Sequence, residues 1–294
     1  HPLEISRVKR NDGKILAEVT NHAESPVTFR LAGHAYEVPS NGTVQGSIPT
    51  AGKEPFAAMP IRVKAPGMPP LLRTVYIHRP GRQTEWIELQ QEAVTVRIAA
   101  DGSGARVIRN GNTVAVLAPL LTLKPLQSDR TVPDMKVATR GKTRVSFAGE
   151  NFNKLVLRLS GRELSYRVTA SEPVAGPVVR VQGHMQQGLL SGVEYLGEGE
   201  RSASRRDIKT PEHKRFTPGH FDITMPLMAY VTDQARLALS WRNMDLQPFF
   251  STPNIVDGTN GHLMGLAGRE VNASLRIAPG WEEGGRLRHC ILWG

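Results

Sequence analysis

Lys154-Leu-Val-Leu-Arg-Leu-Ser-Gly-Arg-Glu-Leu-Ser-Tyr-Arg-Val-Thr-Ala170 decides the fold class. Leu155, Leu157 and Leu159 alternate with Lys154 and Arg158, and Leu164, Tyr166 and Val168 alternate with Glu163, Ser165 and Arg167. A period of two sets one side of a strand against a core and the other against water. Ser160-Gly161-Arg162 between the runs is a turn, so 154–170 is predicted to be a β-hairpin.

The same grammar extends in both directions. Arg144–Phe147 precedes the hairpin across the turn Asn151-Phe152-Asn153, and residues 93–118 read as a meander around Asp101-Gly102-Ser103-Gly104 and Asn110-Gly111-Asn112. Val178–His184 follows Pro173 and Pro177. Asp222–Val231 and Ala235–Trp241 flank Thr232-Asp233-Gln234, and Glu270–Ile277 is predicted to pair with Leu287–Trp293 across Pro279-Gly280-Trp281. The one helical possibility, Gln186–Tyr195, is interrupted by Gly188 and Gly192. No repeat of propeller length recurs, so a large two-sheet sandwich is expected from the boundary at Gln90-Gln91-Glu92 onward. Before it, Leu3–Val8, Lys14–Thr20, Pro26–Leu31, Tyr36–Val38, Ile61–Lys64, Leu72–His78 and Thr84–Leu89 give seven short runs, punctuated by Asn11-Asp12-Gly13, Ser40-Asn41-Gly42 and Arg79-Pro80-Gly81. That number fits a small immunoglobulin-like sandwich, without the Cys…Trp…Cys pattern of antibody domains. The expected organisation is all-β, with an immunoglobulin-like sandwich over 1–91 and a large two-sheet supersandwich over 92–294.

Composition agrees. The 294 residues suffice for about two domains, and 28 Gly with 21 Pro suit many turns. The net charge of +10, from 37 Lys and Arg against 27 Asp and Glu, favours an anionic partner. The basic residues are dispersed, as in Arg7, Lys9, Arg10 and in Arg201, Arg205, Arg206, Lys209. That pattern lacks the long basic run of a nucleic-acid arm; a solvated basic surface is its plainest reading, with an acidic polysaccharide, nucleic acid or a membrane surface as the anionic candidates. The single Cys290, expected to be buried in the last strand, cannot form an internal disulfide. No run reaches the length of a membrane-spanning helix and no signal-peptide pattern opens the chain. His1-Pro2 and Leu292-Trp293-Gly294 are read as ends left by processing or by excision from a longer protein.

Candidate function concentrates in Leu189–Gly265, where Gly and Pro punctuate short apolar runs and three His, several carboxylates, Arg and aromatics fall between them. Loops held by strands are the usual carriers of such groups. Sugar recognition needs flat apolar surface for C–H faces and planar hydrogen-bonding groups for hydroxyls. Tyr195, Glu198, Glu200, Arg215, His220, Trp241, Asn254 and His262 supply that mixture and are the candidate ligand-binding residues.

Gly192-Val-Glu-Tyr-Leu-Gly-Glu-Gly-Glu200, Phe216-Thr-Pro-Gly-His-Phe221, Met225-Pro-Leu-Met228, Pro253-Asn254 and His262-Leu-Met-Gly265 together resemble the galactose-mutarotase-like supersandwich. This family occurs in sugar-processing proteins and as a non-catalytic module of large glycoside hydrolases and polysaccharide lyases. The resemblance covers 93–294 and implies a concave sheet face with a sugar-facing rim. In catalytic members it implies a His acid and a Glu base. His220 and His262 are the His candidates in loop settings, but neither lies in a motif matching the catalytic one. Glu282 and Glu283 follow Trp281 in a turn where the family's base needs an inward-facing strand. The non-catalytic version is therefore expected: a carbohydrate-binding region of an exported protein, extracellular or periplasmic, alongside a catalytic domain of a longer parent chain.

Three alternatives stand beside it. A lyase would use Tyr195, Arg215, His220 and Asn254 on a uronate. A glycosidase would need two of Glu194, Glu198, Glu200, Asp207 and Asp222 across one bond. The third possibility is a purely structural module that packs on a catalytic domain. No cofactor or metal is expected, because His213, His220 and His262 lack compact ligand spacing and Asp257-Gly258-Thr259-Asn260 is an ordinary turn sequence.

Overall fold

The computed structural model describes residues 1–11, 13–50, 56–78, 85–123, 131–200, 223–252 and 262–279. The fold is all-β, and among the described residues there is no helix. The first seven strands are β1 (Leu3–Asn11), β2 (Lys14–Asn21), β3 (Val27–Leu31), β4 (His34–Val38), β5 (Thr43–Pro49), β6 (Phe56–Lys64) and β7 (Leu71–His78). They form two antiparallel sheets, ordered β1-β2-β5 and β4-β3-β6-β7. Leu3, Ile5, Ile15, Phe29, Ile61 and Val75 lie in one fully buried cluster between them. Strand β5 was not predicted, because Gly46 interrupts its β-forming run. A Cβ at that position would come 2.5 Å from Leu31 Cδ2 and 3.1 Å from the Tyr36 ring, so the missing side chain is what lets β5 pack there.

The remaining strands are β8 (Trp86–Gln91), β9 (Val94–Ala99), β10 (Ala105–Arg109), β11 (Asn112–Leu117), β12 (Thr122–Leu123), β13 (Lys136–Arg140), β14 (Arg144–Gly149), β15 (Phe152–Ser160), β16 (Glu163–Val181), β17 (Met185–Leu190), β18 (Glu194–Leu196), β19 (Leu227–Thr232), β20 (Ala235–Trp241), β21 (Gln247–Ser251) and β22 (His262–Pro279). All fifteen belong to one hydrogen-bonded network. Strand β8, expected with the first set, pairs with β9 and so begins the large sheet.

The predicted hairpin is β15 with the first part of β16, in register from Lys154↔Thr169 to Ser160↔Glu163. The expected separate strand Val178–His184 proves to be the continuation of β16, a strand of 19 residues. Glu270–Ile277 likewise joins the His262-Leu-Met-Gly265 segment in β22, and Gln186–Tyr195 contributes β17 and β18 instead of a helix. Antiparallel pairing of β16 with β22 runs from Glu163↔Arg276 to Val181↔His262, with register shifts at Thr169/Val174 and Ala175/Val178. Such irregularities bend and twist strands. On one side of them the two strands pair with β15 and β20; on the other they pair with β11 and β21.

The network therefore divides into two halves sharing β16 and β22. The order in one half is β13-β14-β15-β16-β22-β20-β19-β17-β18, and in the other β8-β9-β10-β11-β16-β22-β21. Inward residues of both halves enter one core: Val96, Val107 and Leu117 from the second, Leu157, Tyr166, Leu239 and Leu275 from the first. The Tyr166 hydroxyl donates to the Leu120 carbonyl at 2.8 Å, and burial holds its phenol well above the usual range. The expected strand Leu287–Trp293 with Cys290 lies outside the described residues, as do Arg79-Pro80-Gly81 and most of Pro279-Gly280-Trp281.

The shared strands approach their neighbours closely. A Cβ at Gly265 would come 2.3 Å from Phe249 Cζ and 2.9 Å from the Pro177 carbonyl oxygen. Gly265→Ala is expected to lower stability by about 1–3 kcal/mol through this overpacking, read from the urea midpoint, and an unchanged midpoint would contradict the packing described.

Candidate functional site

The candidate site lies on the outward side of the first half, where strand pairing lines residues up in rows. Directly opposed residues of antiparallel strands share a face. Across β19, β20, β22 and β16 one row reads Ala229–Ala238–Arg276–Glu163 and the next reads Leu227–Ser240–Ser274–Ser165. Arg242 lies just beyond β20, its backbone N–H donating to the Asn272 carbonyl at 3.2 Å. Ala and Ser form a low centre, and longer side chains stand around it. The result is a groove of about 350 Å³ lined by Glu163, Leu227, Ser240, Arg242, Asn272 and Arg276, with Ala229, Ala238, Ser274 and Trp241.

The groove is polar and basic. Ser274 Oγ donates to Glu163 Oε1 at 2.7 Å, which fixes the carboxylate. Among the described residues, the Arg242 and Arg276 guanidinium groups have no hydrogen-bond or ion-pair partner. Two forked donors, an amide and serine hydroxyls thus face the space beside one oriented carboxylate. That set can bind hydroxyls and a carboxylate or sulfate group together.

Of the sequence candidates, only Trp241 lines this groove. Its alternation along β20 groups it with buried Leu237 and Leu239, and it is 4% exposed, so it closes the floor and has no open ring face for stacking. Its Nε1 is buried without a hydrogen-bond partner among the described residues.

Tyr195 stands on β18 at the end of the first half and is 59% exposed. Glu200 Oε2 accepts from the Gly197 N–H at 2.6 Å, bracing the turn after β18. Arg215, His220 and Asn254 lie outside the described residues, as do Asp207, His213, Asp222, Asp257–Asn260, Glu282 and Glu283. The proposed convergence of Tyr195 with Arg215, His220 and Asn254 is thus not described.

Glu198 contacts His184, whereas His262 packs in a corner formed by Thr252 and Tyr230. Glu198 Oε1 lies 2.7 Å from His184 Nε2 in the link between β16 and β17, and the His184 backbone N–H donates to Asp233 Oδ1 at 2.8 Å. His262 is the first residue of β22 and not a loop residue, since it pairs with Val181. Its Nδ1 is 3.3 Å from Thr252 Oγ1 and its ring centroid is 5.2 Å from that of Tyr230. Tyr230 in turn stacks on Phe250 at 4.6 Å and reaches Thr252 Oγ1 at 2.7 Å. Burial lowers the His262 pKa to about 4; a hydrogen bond with the Gly183 backbone opposes the shift and the His184 charge adds to it. A neutral imidazole in this packed corner braces the ends of β16, β21 and β22. Among the described residues, no group of three or more His, Cys, Asp or Glu is disposed to hold a metal ion.

Sequence reading missed Glu163, Ser240, Arg242, Asn272, Ser274 and Arg276. The available signal was the polar half of the alternation in β16, β20 and β22, a pattern that any solvated sheet face also gives.

Because the His262 pKa is lowered from 6.5 to about 4, the unfolded chain binds a proton here that the folded chain rejects between those values. Its contribution to stability is complete above about pH 6.5 and declines as pH falls toward 4. Stability of the wild type is expected to drop more between pH 7 and pH 4.5 than that of His262→Gln, measured by denaturant unfolding; equal drops would contradict the buried neutral imidazole. No protein-family model matches the sequence, and no curated protein matches it.

Proposed function

We propose that this chain is a carbohydrate-binding region of an exported carbohydrate-active protein and that the groove on β16, β20 and β22 takes an acidic saccharide without transforming it. The observation that carries this reading is the pair of guanidinium groups, Arg242 and Arg276, without a partner among the described residues, beside Asn272 and the Ser274-bound Glu163. Saccharides present hydroxyls that need both donors and acceptors, and a uronate or sulfate adds the charge that Arg forks match. The net charge of +10 acts in the same direction by drawing a polyanion to the surface. The likeness of 93–294 to the galactose-mutarotase-like supersandwich also supports it, as does the two-sheet organisation that would present such a face.

Binding is favoured over hydrolysis because a glycosidase needs two carboxyl groups flanking the bond. Among the described residues, Glu163 is the one carboxylate lining the groove, and its oxygen is already engaged by Ser274. Binding is favoured over a purely packing role because, among the described residues, the large exposed apolar side chains Leu72, Val137, Tyr195, Met225 and Met244 fall on separate elements and not on one strand face.

Affinity electrophoresis in gels containing polygalacturonate tests the reading. Retention is expected at low salt and should weaken as salt rises. Arg276→Ala and Arg242→Ala should each lower affinity by about tenfold or more, the value of a charge-assisted hydrogen bond of about 1.5–3 kcal/mol. Absence of retention by both acidic and neutral polysaccharides at low salt would overturn it.

A further inference from the structure

The rows that build the groove do not stop at its wall. The row Leu227–Ser240–Ser274–Ser165 continues onto β15 and β14 as Arg158 and Arg144, which are directly opposed. The next row adds Arg167, opposite Asn272. All three arginines are exposed. Like charges in direct cross-strand opposition destabilise a sheet, so Arg144 facing Arg158 is a cost the isolated fold does not require.

Three other arginines of the same network are neutralised. Arg97 pairs with Glu88 at 2.5 Å, Arg162 with Glu92 at 3.2 Å, and Arg140 with Glu85. By contrast, Arg144, Arg158, Arg167, Arg242 and Arg276 have no carboxylate partner among the described residues. Five cations without a carboxylate partner thus share one face, in three neighbouring rows, and the groove is one end of that band; Arg109 on β10 also lacks a carboxylate partner among the described residues and lies in the other half. From Arg242 beside β20 to Arg144 on β14 there are four strand spacings, about 19 Å at the usual interstrand distance.

We propose that the ligand is an extended acidic polysaccharide lying across the strands, with one segment in the groove and the next over Arg167, Arg158 and Arg144. This rests on the reading of the groove as a saccharide site and adds to it a direction, a minimum length and a repeating negative charge. A short saccharide fills the groove alone. A longer one also relieves the repulsion between Arg144 and Arg158, because its carboxylates sit between the two cations and release the counterions held there.

The test is calorimetric titration of the full chain with galacturonate disaccharide and hexasaccharide, using the wild type, the double variant Arg144→Ala/Arg158→Ala, and Arg276→Ala. The hexasaccharide should bind the wild type more tightly than the disaccharide. The double variant should lose about tenfold or more for the hexasaccharide, with a weaker salt dependence, and should keep its disaccharide affinity. Arg276→Ala should weaken both ligands. The double variant removes a like-charge contact on an exposed face, so its unfolding midpoint should be no lower than that of the wild type, which separates lost binding from lost folding. Unchanged hexasaccharide affinity in the double variant, with both ligands weakened by Arg276→Ala, would overturn the track and leave the groove reading standing. Failure of both ligands to bind the wild type would remove the groove reading and the track with it. Single-stranded oligonucleotide binding as tightly as the hexasaccharide would overturn the assignment to a polysaccharide.

Discussion

The antiparallel pairing of β16 with β22 is the constraint on which the other features depend. Neither strand ends where its pattern first suggests; each runs through a register irregularity and continues into the other half of the network. Because the two strands stay paired on both sides of that bend, the halves are joined covalently and by hydrogen bonds, and their inward residues meet in one core. Bending brings backbones close, which is why Gly176, Gly265 and Gly268 occur there. A Cβ at each would fall 2.1 Å from the Tyr166 hydroxyl oxygen, 2.3 Å from Phe249 and 2.3 Å from Leu246, respectively. The same strands carry Glu163, Asn272, Ser274 and Arg276 outward, so the fold's main joint is also the centre of its candidate binding face.

That coincidence separates stability from recognition by strand parity. Along β22, Val271, Ala273, Leu275 and Ile277 point into the core while Asn272, Ser274 and Arg276 point out. Outward residues can therefore change with little effect on the core, and the inward ones fix where the outward ones stand. A binding face built on strands is stiffer than one built on loops, so fewer degrees of freedom would be lost on binding the proposed oligosaccharide. Part of the chain's basic character gains a location: Arg97, Arg140 and Arg162 are matched by Glu88, Glu85 and Glu92, whereas five arginines without a carboxylate partner among the described residues share this face.

The hairpin 154–170 was legible because its alternation is strict and a Gly marks its turn. The all-β class followed from many such runs. What could not be read was continuity. Pro173 and Pro177 look like a break, yet β16 passes through them by shifting register, and Gly265 and Gly268 look like loop residues although they lie within β22. Local composition reports propensity, whereas this strand is held by tertiary pairing on both sides. The groove could not be read from sequence for a related reason. Tyr195, Glu198, Glu200 and His262 attract attention because they cluster in sequence among turns; Glu200 braces a turn, Glu198 meets the His184 ring, His262 sits in a packed corner and Tyr195 is exposed. Glu163 and Arg276 are directly opposed in space and more than a hundred residues apart in the chain, a neighbourhood that only the register reveals.

A saccharide bound as proposed would settle on the outward face over β19, β20, β22 and β16. Alanine methyl resonances report on it directly, because Ala229 and Ala238 line the groove while Ala105 and Ala115 are buried in the other half. Titration of methyl-labelled protein with an acidic hexasaccharide should shift Ala229 and Ala238 in a saturable manner and leave Ala105 and Ala115 in place. Saturable binding that leaves the Ala229 and Ala238 resonances unmoved would contradict the account.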